Sequence, residues 1–188
     1  MSLFEKTIKK LKHGVRESVL LHGEFQAWFW KKVASLTPLG SVSTPIFFGD
    51  VPGNILYDYK IAKDGAVMVG IPKENMYKKM KVIRQPPYMK TKLLGKSMYV
   101  FGLEQINKIK NEKDLFTYFD NLIRHSEHYI FLTCWGMDPE LPSDVPAMER
   151  NYWNMDSYVK VFEENGFVLT VRANYKDSFT MLYIFEKV

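Results

Sequence analysis

The sequence of 188 residues has one cysteine, Cys134, four histidines and no long apolar run. A single cysteine excludes an internal disulfide, and without clustered cysteines and histidines we expect no metal site. No segment reaches the roughly 20 consecutive apolar residues that a membrane-spanning helix needs. We therefore expect no membrane among the partners of this protein, and a reducing cytoplasm as its location.

Acidic residues are scarce in residues 72–96, where eight basic side chains stand against Glu74 alone. This basic segment carries a net charge of +7, whereas the whole chain carries +5. Its basic residues are Lys73, Lys78, Lys79, Lys81, Arg84, Lys90, Lys92 and Lys96. Such a field attracts phosphates, nucleic acid or acidic proteins, and Tyr77 and Tyr88 are interleaved as stacking platforms for bases. A solvated lysine-rich face is the alternative interpretation.

The spacing of apolar residues predicts an α/β chain. Residues 1–40 carry two amphipathic stripes and predict two helices, the second following Gly23 and ending before Pro38. From residue 41 onward apolar strands alternate with helical segments, which predicts βαβ units and a parallel sheet. The strands are "TPIFFG", "GAVMVGI", "KVIRQ", "SMYVFG" and "YIFLTCW", and the helices are "NILYDYKI", "KENMYKKM" and a segment with Leu115, Phe119, Leu122 and Ile123 on its apolar face.

The C-terminal segment departs from the alternation of strands and helices. A proline-rich loop over residues 137–148 leads to a helix with Met155, Tyr158 and Phe162 inward, and Gly166 is placed to cap its C-terminus. The stretches "FVLTVRA" and "FTMLYIFEKV" follow, separated by "NYKDS". They predict a terminal antiparallel hairpin.

Three stretches resemble class I S-adenosylmethionine-dependent methyltransferases: "PGNILYDY", "YVFGLEQINKIKNEKDLFTYFDNLIRHSEHYIFLTCWG" and "MDSYVKVFEENGFVLTVRANYKDSFTMLYIFEK". The resemblance implies a Rossmann-like methyltransferase fold over residues 41–188. That fold is a mostly parallel seven-stranded sheet with helices on both faces and a C-terminal antiparallel hairpin. Residues 1–40 would then form a helical cap over the substrate.

The resemblance also implies an S-adenosylmethionine site, and there the sequence departs from the family. The usual acidic residue of the first motif falls on Phe47, and the ribose-binding and adenine-binding acids fall on Gly70 and Pro86. Each lost charge-assisted hydrogen bond removes about 1.5–3 kcal/mol, so we expect weak cofactor binding or its loss. The cofactor-binding residues that the resemblance implies are Gly49, Asp50, Gly53, Asn54, Gly70, Glu74, Gly102 and Glu104, with Asp50 or Glu74 replacing the missing acids.

Aromatic residues flank the long loop after the fifth strand, which walls the acceptor site in the resembling family. We expect Trp135, Tyr152 and Trp153 to contact the substrate, with packing beneath the loop as the alternative. Glu104 and Gln105 stand where members of the resembling family carry residues that contact the cofactor or the acceptor, and the Glu104 carboxylate is placed to act as a base. A charge at a helix N-terminus is the alternative for Glu104. Cys134 is predicted to be a buried structural thiol. No catalytic residue can be named from the sequence.

Three functions follow from these observations. The first is an S-adenosylmethionine-dependent methyltransferase whose acceptor, a small molecule or a macromolecule, is unknown. The second is a catalytically inactive protein of the same fold that binds or scaffolds a partner. The third is a phosphate-binding or nucleic-acid-binding module that uses the basic segment, residues 72–96.

Overall fold

The computed structural model describes residues 23–36, 44–49, 65–71, 80–103, 105–135, 153–174 and 180–188. The chain divides into two compact units, residues 1–41 and 42–188. In the first unit, helix α1 (Gly23–Leu36) has Phe29 and Val33 buried one turn apart. This is the second of the two predicted N-terminal helices, whereas the first lies outside the described residues. A substrate cap at residues 1–40 stays a prediction.

In the second unit the described residues form a seven-stranded sheet in the order β3-β2-β1-β4-β5-β7-β6. The strands are β1 (Ile46–Phe48), β2 (Ala66–Gly70), β3 (Met80–Arg84), β4 (Ser97–Leu103), β5 (Ser126–Trp135), β6 (Phe167–Asn174) and β7 (Thr180–Lys187). Strands β1 to β5 are parallel, and β7 pairs antiparallel with both β5 and β6. The predicted mostly parallel sheet with a C-terminal hairpin is confirmed.

Two helices of this unit pack on one face of the sheet. Helix α2 (Glu112–His125) is capped by Asn111, whose side chain accepts a 2.9 Å hydrogen bond from the Asp114 backbone N–H. Helix α3 (Val159–Glu163) follows a 3₁₀ turn at Met155–Tyr158, and Gly166 ends the segment at a φ of +80°. The predicted glycine cap is therefore confirmed.

The α2–α3 face holds the larger described core. Phe119 of α2 and Phe162 of α3 lie 5.1 Å apart between ring centroids, and Phe162 stacks on Phe185 of β7 at 4.2 Å. Buried aromatic packing of this kind stabilises by area and by ring geometry. It joins the parallel half of the sheet to the hairpin.

The opposite face of the sheet carries a ladder of aromatic rings. Phe47, Phe101 and Phe131 on the adjacent strands β1, β4 and β5 are fully buried, with centroids 4.7 and 4.8 Å apart. The helices predicted at "NILYDYKI" and "KENMYKKM" lie outside the described residues, apart from Met80, which opens β3.

Candidate functional site

The strand order places a switch point between β1 and β4. From β1 the chain continues to β2 and β3 on one side, and it then returns to β4 on the other side. In open α/β sheets the crevice outside the carboxyl ends of such strands is where ligands bind. We call the crevice formed by Gly49, Gly70 and Gln105 the switch-point crevice.

Gly49 lies directly after β1 in a conformation that favours glycine. Its φ is +126°, and its buried N–H donates a 2.9 Å hydrogen bond to the Val69 carbonyl of β2. A Cβ atom added to Gly49 would overlap the side chain of Gln105. Gly49 is therefore required both by its backbone and by the close approach of Gln105.

Gly70 ends β2 beside Gly49, at the position where the resemblance expects the ribose-binding acid. A Cβ atom added there would lie 3.5 Å from the carbonyl carbon and oxygen of Gly49 and 3.4 Å from Cε of Met68. These are ordinary van der Waals contacts, so a side chain fits at Gly70.

Gln105 follows β4 and reaches back into the crevice. It is only 6% exposed, and its Nε2–H group donates a 3.0 Å hydrogen bond to the Leu103 carbonyl. The sequence places Gln105 at the end of β4, but it gives no signal that its side chain lies on Gly49. That contact follows only from the pairing of β1 with β4.

No carboxylate lies among the described residues at the ends of β1, β2 and β3, which are Gly49, Gly70, Ile71, Gln85 and Pro86. The position of the first acid, Phe47, belongs to the aromatic ladder. Pro86 opens a turn in which its carbonyl accepts a 3.0 Å hydrogen bond from Met89. The remaining predicted cofactor residues, Asp50, Gly53, Asn54, Glu74 and Glu104, lie outside the described residues.

Gly102, also predicted to bind the cofactor, lies within β4 with its α-carbon against α2. A Cβ atom there would overlap the Tyr118 hydroxyl and lie 2.9 Å from Cδ2 of Leu132. The same hydroxyl donates a 3.3 Å hydrogen bond to the Phe48 carbonyl, and burial raises its pKa. Packing against Tyr118 accounts for this glycine, and a cofactor contact stays a prediction.

The predicted substrate residues are described only in part. Trp153 is partly buried against the α2–α3 core, and its Nε1–H group donates a 2.9 Å hydrogen bond to the Ile109 carbonyl. Its ring meets Tyr158 edge-on at 6.1 Å. Trp135 is the last residue of β5, and Tyr152 lies outside the described residues. The contacts of Trp153 support packing, and acceptor contact stays a prediction for all three residues.

Cys134 is buried near the end of β5. Burial raises the pKa of its thiol from 9.0 to about 12, with a further upward contribution from Asp156. The thiol is therefore protonated at neutral pH, which suits a structural role. Among the described residues, no group of three histidine, cysteine, aspartate or glutamate side chains is arranged to hold a metal ion.

His125 belongs to the core of the second unit. His125 ends α2 fully buried, with Nδ1–H donating to the Asn121 carbonyl at 2.7 Å and Nε2 accepting from the Leu94 N–H at 3.3 Å. Since both ring nitrogens are bonded, the side chain is a fixed part of the core. His128 lies in β5, 3.4 Å from Glu186.

Asn121 and His125 fasten the described end of the basic segment to α2. The Asn121 side-chain amide donates to the carbonyls of Met89 at 2.7 Å and Pro87 at 3.1 Å, and its Oδ1 accepts from the Thr91 N–H at 3.1 Å. The backbone is thus fixed while the basic side chains point to solvent. The exposed ones are Lys81, Arg84, Lys90, Lys92 and Lys96.

A polar cluster, here called the hairpin clasp, joins the start of the α3 segment to β6 and β7. Arg172 donates two hydrogen bonds to the Asp156 carboxylate at 2.9 and 2.7 Å, and the Tyr183 hydroxyl donates a third at 3.1 Å. The pKa of Asp156 is lowered mainly by the hydrogen bonds from Arg172, and the bond from Tyr183 lowers it further. No sequence pattern pairs these three residues.

Comparison with solved structures shows the fold. No protein-family model and no curated protein sequence matches the chain. The N-methyltransferase NodS from Bradyrhizobium japonicum WM9, in complex with S-adenosylhomocysteine, is 9% identical with a TM-score of 0.66, covering 95% of this chain and 97% of its own. Among the described residues, no helix is long and apolar enough to cross a membrane.

Two further methyltransferases are similar. Magnesium protoporphyrin IX methyltransferase (ChlM) from Synechocystis PCC 6803, with bound S-adenosylhomocysteine, is 11% identical with a TM-score of 0.62, covering 89% of this chain and 84% of its own. The glycopeptide N-methyltransferase MtfA is 12% identical with a TM-score of 0.60, covering 85% and 89%. The chain has the Rossmann-like class I methyltransferase fold that its sequence resembles.

Proposed function

We propose that this protein is an S-adenosylmethionine-dependent methyltransferase-like protein that binds the cofactor weakly at the switch-point crevice. The observation that carries the proposal is the approach of Gly49 and Gly70 at the carboxyl ends of two adjacent parallel strands. Glycine at such ends lets a ligand approach the backbone closely. The similar ChlM and NodS structures contain S-adenosylhomocysteine.

The backbone of the crevice suits S-adenosylhomocysteine, but its described residues lack the acidic side chains that would bind the ribose. A ribose diol needs a hydrogen-bond acceptor, and Gly70 has no side chain to provide one. Asp50 or Glu74 would have to replace the missing acids. Each bond left unmade costs about 1.5–3 kcal/mol, so a dissociation constant on the order of 0.1–1 mM is expected.

Calorimetric titration with S-adenosylhomocysteine tests the proposal. The wild-type chain is expected to bind, and a Gly70→Leu variant is expected to lose binding because its side chain would cover the Gly49 backbone. Lys160→Leu serves as the control, since it introduces the same side chain at an exposed position of α3, beside β6 at the far edge of the sheet. Both variants are checked for folding by thermal melting. No heat at millimolar ligand would support instead the inactive protein that binds or scaffolds a partner.

The methyl acceptor is proposed only as a class, a small molecule or a macromolecule. Trp135, Tyr152 and Trp153 remain the proposed contacts. Because Trp153 already donates to Ile109 at 2.9 Å, it would offer the acceptor its ring and not its N–H group. The cytoplasmic location stays a prediction.

The basic segment supports a second candidate function, binding of nucleic acid or phosphate. The specific observation is that Asn121 and His125 fix the loop backbone while Lys90, Lys92 and Lys96 are exposed. Lysines on a fixed loop backbone suit a phosphate backbone, because the loop itself needs no further ordering on binding.

Binding to a fluorescent single-stranded oligonucleotide at several salt concentrations tests this second function. Affinity is expected to fall with salt, by roughly 0.7 in log–log slope for each phosphate contact. The triple variant K90Q/K92Q/K96Q should reduce the slope, whereas the control K108Q/K110Q/K113Q, at exposed lysines outside the loop, should not. An equal slope in all three proteins would rule the loop out.

A further inference from the structure

We infer that the Gln105 side chain is a gate on the switch-point crevice, which must turn away from Gly49 before a ligand can bind there. The inference rests on the proposed function, because its test uses S-adenosylhomocysteine. It adds a residue that controls access and lowers the affinity of the crevice.

The first step is the contact with Gly49. A Cβ atom at Gly49 would overlap three atoms of Gln105, namely Cγ, Cδ and Nε2. Since methylene, carbonyl carbon and amide nitrogen all lie there, the side chain runs along the glycine and does not merely touch it with its tip. The side of Gly49 on which a side chain would project is therefore filled by Gln105, and a ligand that approached the glycine from that side would meet the Gln105 side chain first.

The second step is that Gln105 is held in place. Its amide donates to the Leu103 carbonyl at 3.0 Å, and the residue is 6% exposed. A buried hydrogen bond of this kind opposes rotation of the side chain out of the crevice. A glutamine carries no charge, so it fills the space without attracting the sulfonium or repelling the carboxylate of an S-adenosyl ligand.

The third step is the cost to the ligand. When only a fraction of molecules is competent to bind, the apparent affinity falls by that fraction. A closed state held by one buried hydrogen bond and its packing leaves about one molecule in ten open. Removal of the side chain should therefore tighten binding about tenfold.

Calorimetric titration of S-adenosylhomocysteine into Gln105→Ala tests the gate. A dissociation constant about tenfold below that of the wild type is expected. The control is Asn165→Ala, which also removes an amide bonded to a backbone carbonyl, here Val161 at 2.7 Å. Asn165 precedes β6 at the opposite edge of the sheet and should leave the affinity unchanged.

A second measurement tests the contact without any ligand. Gly49→Ala is introduced into the wild type and into Gln105→Ala, and the folding equilibrium constants are measured in urea. The positive φ disfavours alanine in both proteins, but the overlap with Gln105 exists only in the first. The loss caused by Gly49→Ala should be at least about tenfold smaller when Gln105 is already alanine.

The outcomes separate the two claims. Equal losses in the double-mutant cycle would overturn the gate, whatever the ligand does. Binding by the wild type with no gain in Gln105→Ala would also overturn the gate while leaving the proposed function standing. No heat with either protein at millimolar ligand would overturn the proposed function, and the gate with it. Coupling in the cycle together with a tenfold gain supports both.

Discussion

The hairpin clasp is built from charged side chains, whereas the described part of the switch-point crevice has none. In the clasp, the Asp156 carboxylate receives three hydrogen bonds from Arg172 and Tyr183. In the crevice, Gly49 lies against the neutral amide of Gln105 and beside Gly70. The charges that secure the hairpin are absent from the described part of the crevice, so the two halves of this sheet are held by different kinds of contact. A substitution at Gly70, where a Cβ atom fits, is therefore not expected to disturb the clasp.

The reactivity of Cys134 tests how closely β5 is packed where it pairs with the hairpin strand β7. Of all the predictions, it should show the greatest change. With its pKa raised from 9.0 to about 12 by burial, the native thiol carries about a thousandfold less thiolate at pH 8 than an ordinary cysteine. Iodoacetamide labelling followed by mass spectrometry should thus be at least about a thousandfold slower in the folded than in the urea-unfolded protein. The chain has no other cysteine, so the signal is unambiguous. Rates within tenfold would mean that the end of β5 is open.

Alanine substitutions at two buried glycines, Gly102 and Gly70, should differ in their effect on the free energy of unfolding. Gly102→Ala should lower the free energy of unfolding by about 2–3 kcal/mol, because its methyl group overlaps the Tyr118 hydroxyl beside Leu132. Gly70→Ala meets only ordinary contacts and should change stability by less than about 0.5 kcal/mol. Urea denaturation of both variants measures the difference. Similar losses would contradict the close packing at Gly102 or the open space at Gly70.

The sequence predicted the strands and the hairpin well because each is a local apolar run bounded by turn residues. The spacing of Leu115, Phe119 and Leu122 likewise located α2. Asn121 and His125 escaped prediction because polar residues on a helix are ordinarily exposed. Here they are buried because the irregular loop before β4 bonds to them.

The candidate site was predicted less completely, for a related reason. Gly49 and Gly70 follow apolar runs and could be placed at strand ends from the sequence alone. The contact between Gly49 and Gln105 depends on the pairing of β1 with β4, which are far apart in the chain. Asp156 and Arg172 stand on exposed positions of different elements, where alternation of polar residues names no partner.

Placing an acid at Gly70 should increase the affinity for S-adenosylhomocysteine, and it tests whether the lack of charge limits binding at the crevice. Gly70→Asp introduces a carboxylate where a Cβ atom fits and where the resembling family binds ribose. One charge-assisted hydrogen bond of about 1.5–3 kcal/mol should tighten S-adenosylhomocysteine binding tenfold or more in calorimetry. Gly70→Asn, of nearly equal size but neutral, is the matched control and should gain much less. Equal gains would show that shape, and not charge, limits the crevice.

Removing the clasp carboxylate should have the smallest effect, and its sign with pH identifies the cause. Arg172 holds the pKa of Asp156 below the usual value of about 3.9, so the ionised form stabilises the folded state. This stabilisation is complete above about pH 5 and is lost as the pH falls through the lowered folded value. Asp156→Asn should reduce the unfolding free energy at pH 7 by about 0.5–1 kcal/mol, because the pair is half exposed.

Urea denaturation of Asp156→Asn and wild type from pH 7 to pH 2 checks this prediction. The two stability curves should converge below pH 4, since protonation of Asp156 removes the same charge as the substitution. The control is Asp120→Asn, which removes an exposed carboxylate that lies 2.8 Å from Arg124 on the same helix. It should lower the unfolding free energy by only about 0.3–0.5 kcal/mol. A difference at Asp156 that persists unchanged at pH 2 would contradict a charge effect. The hairpin would then be secured by the neutral hydrogen bond from Tyr183, and the contrast in charge with the crevice would not explain its stability.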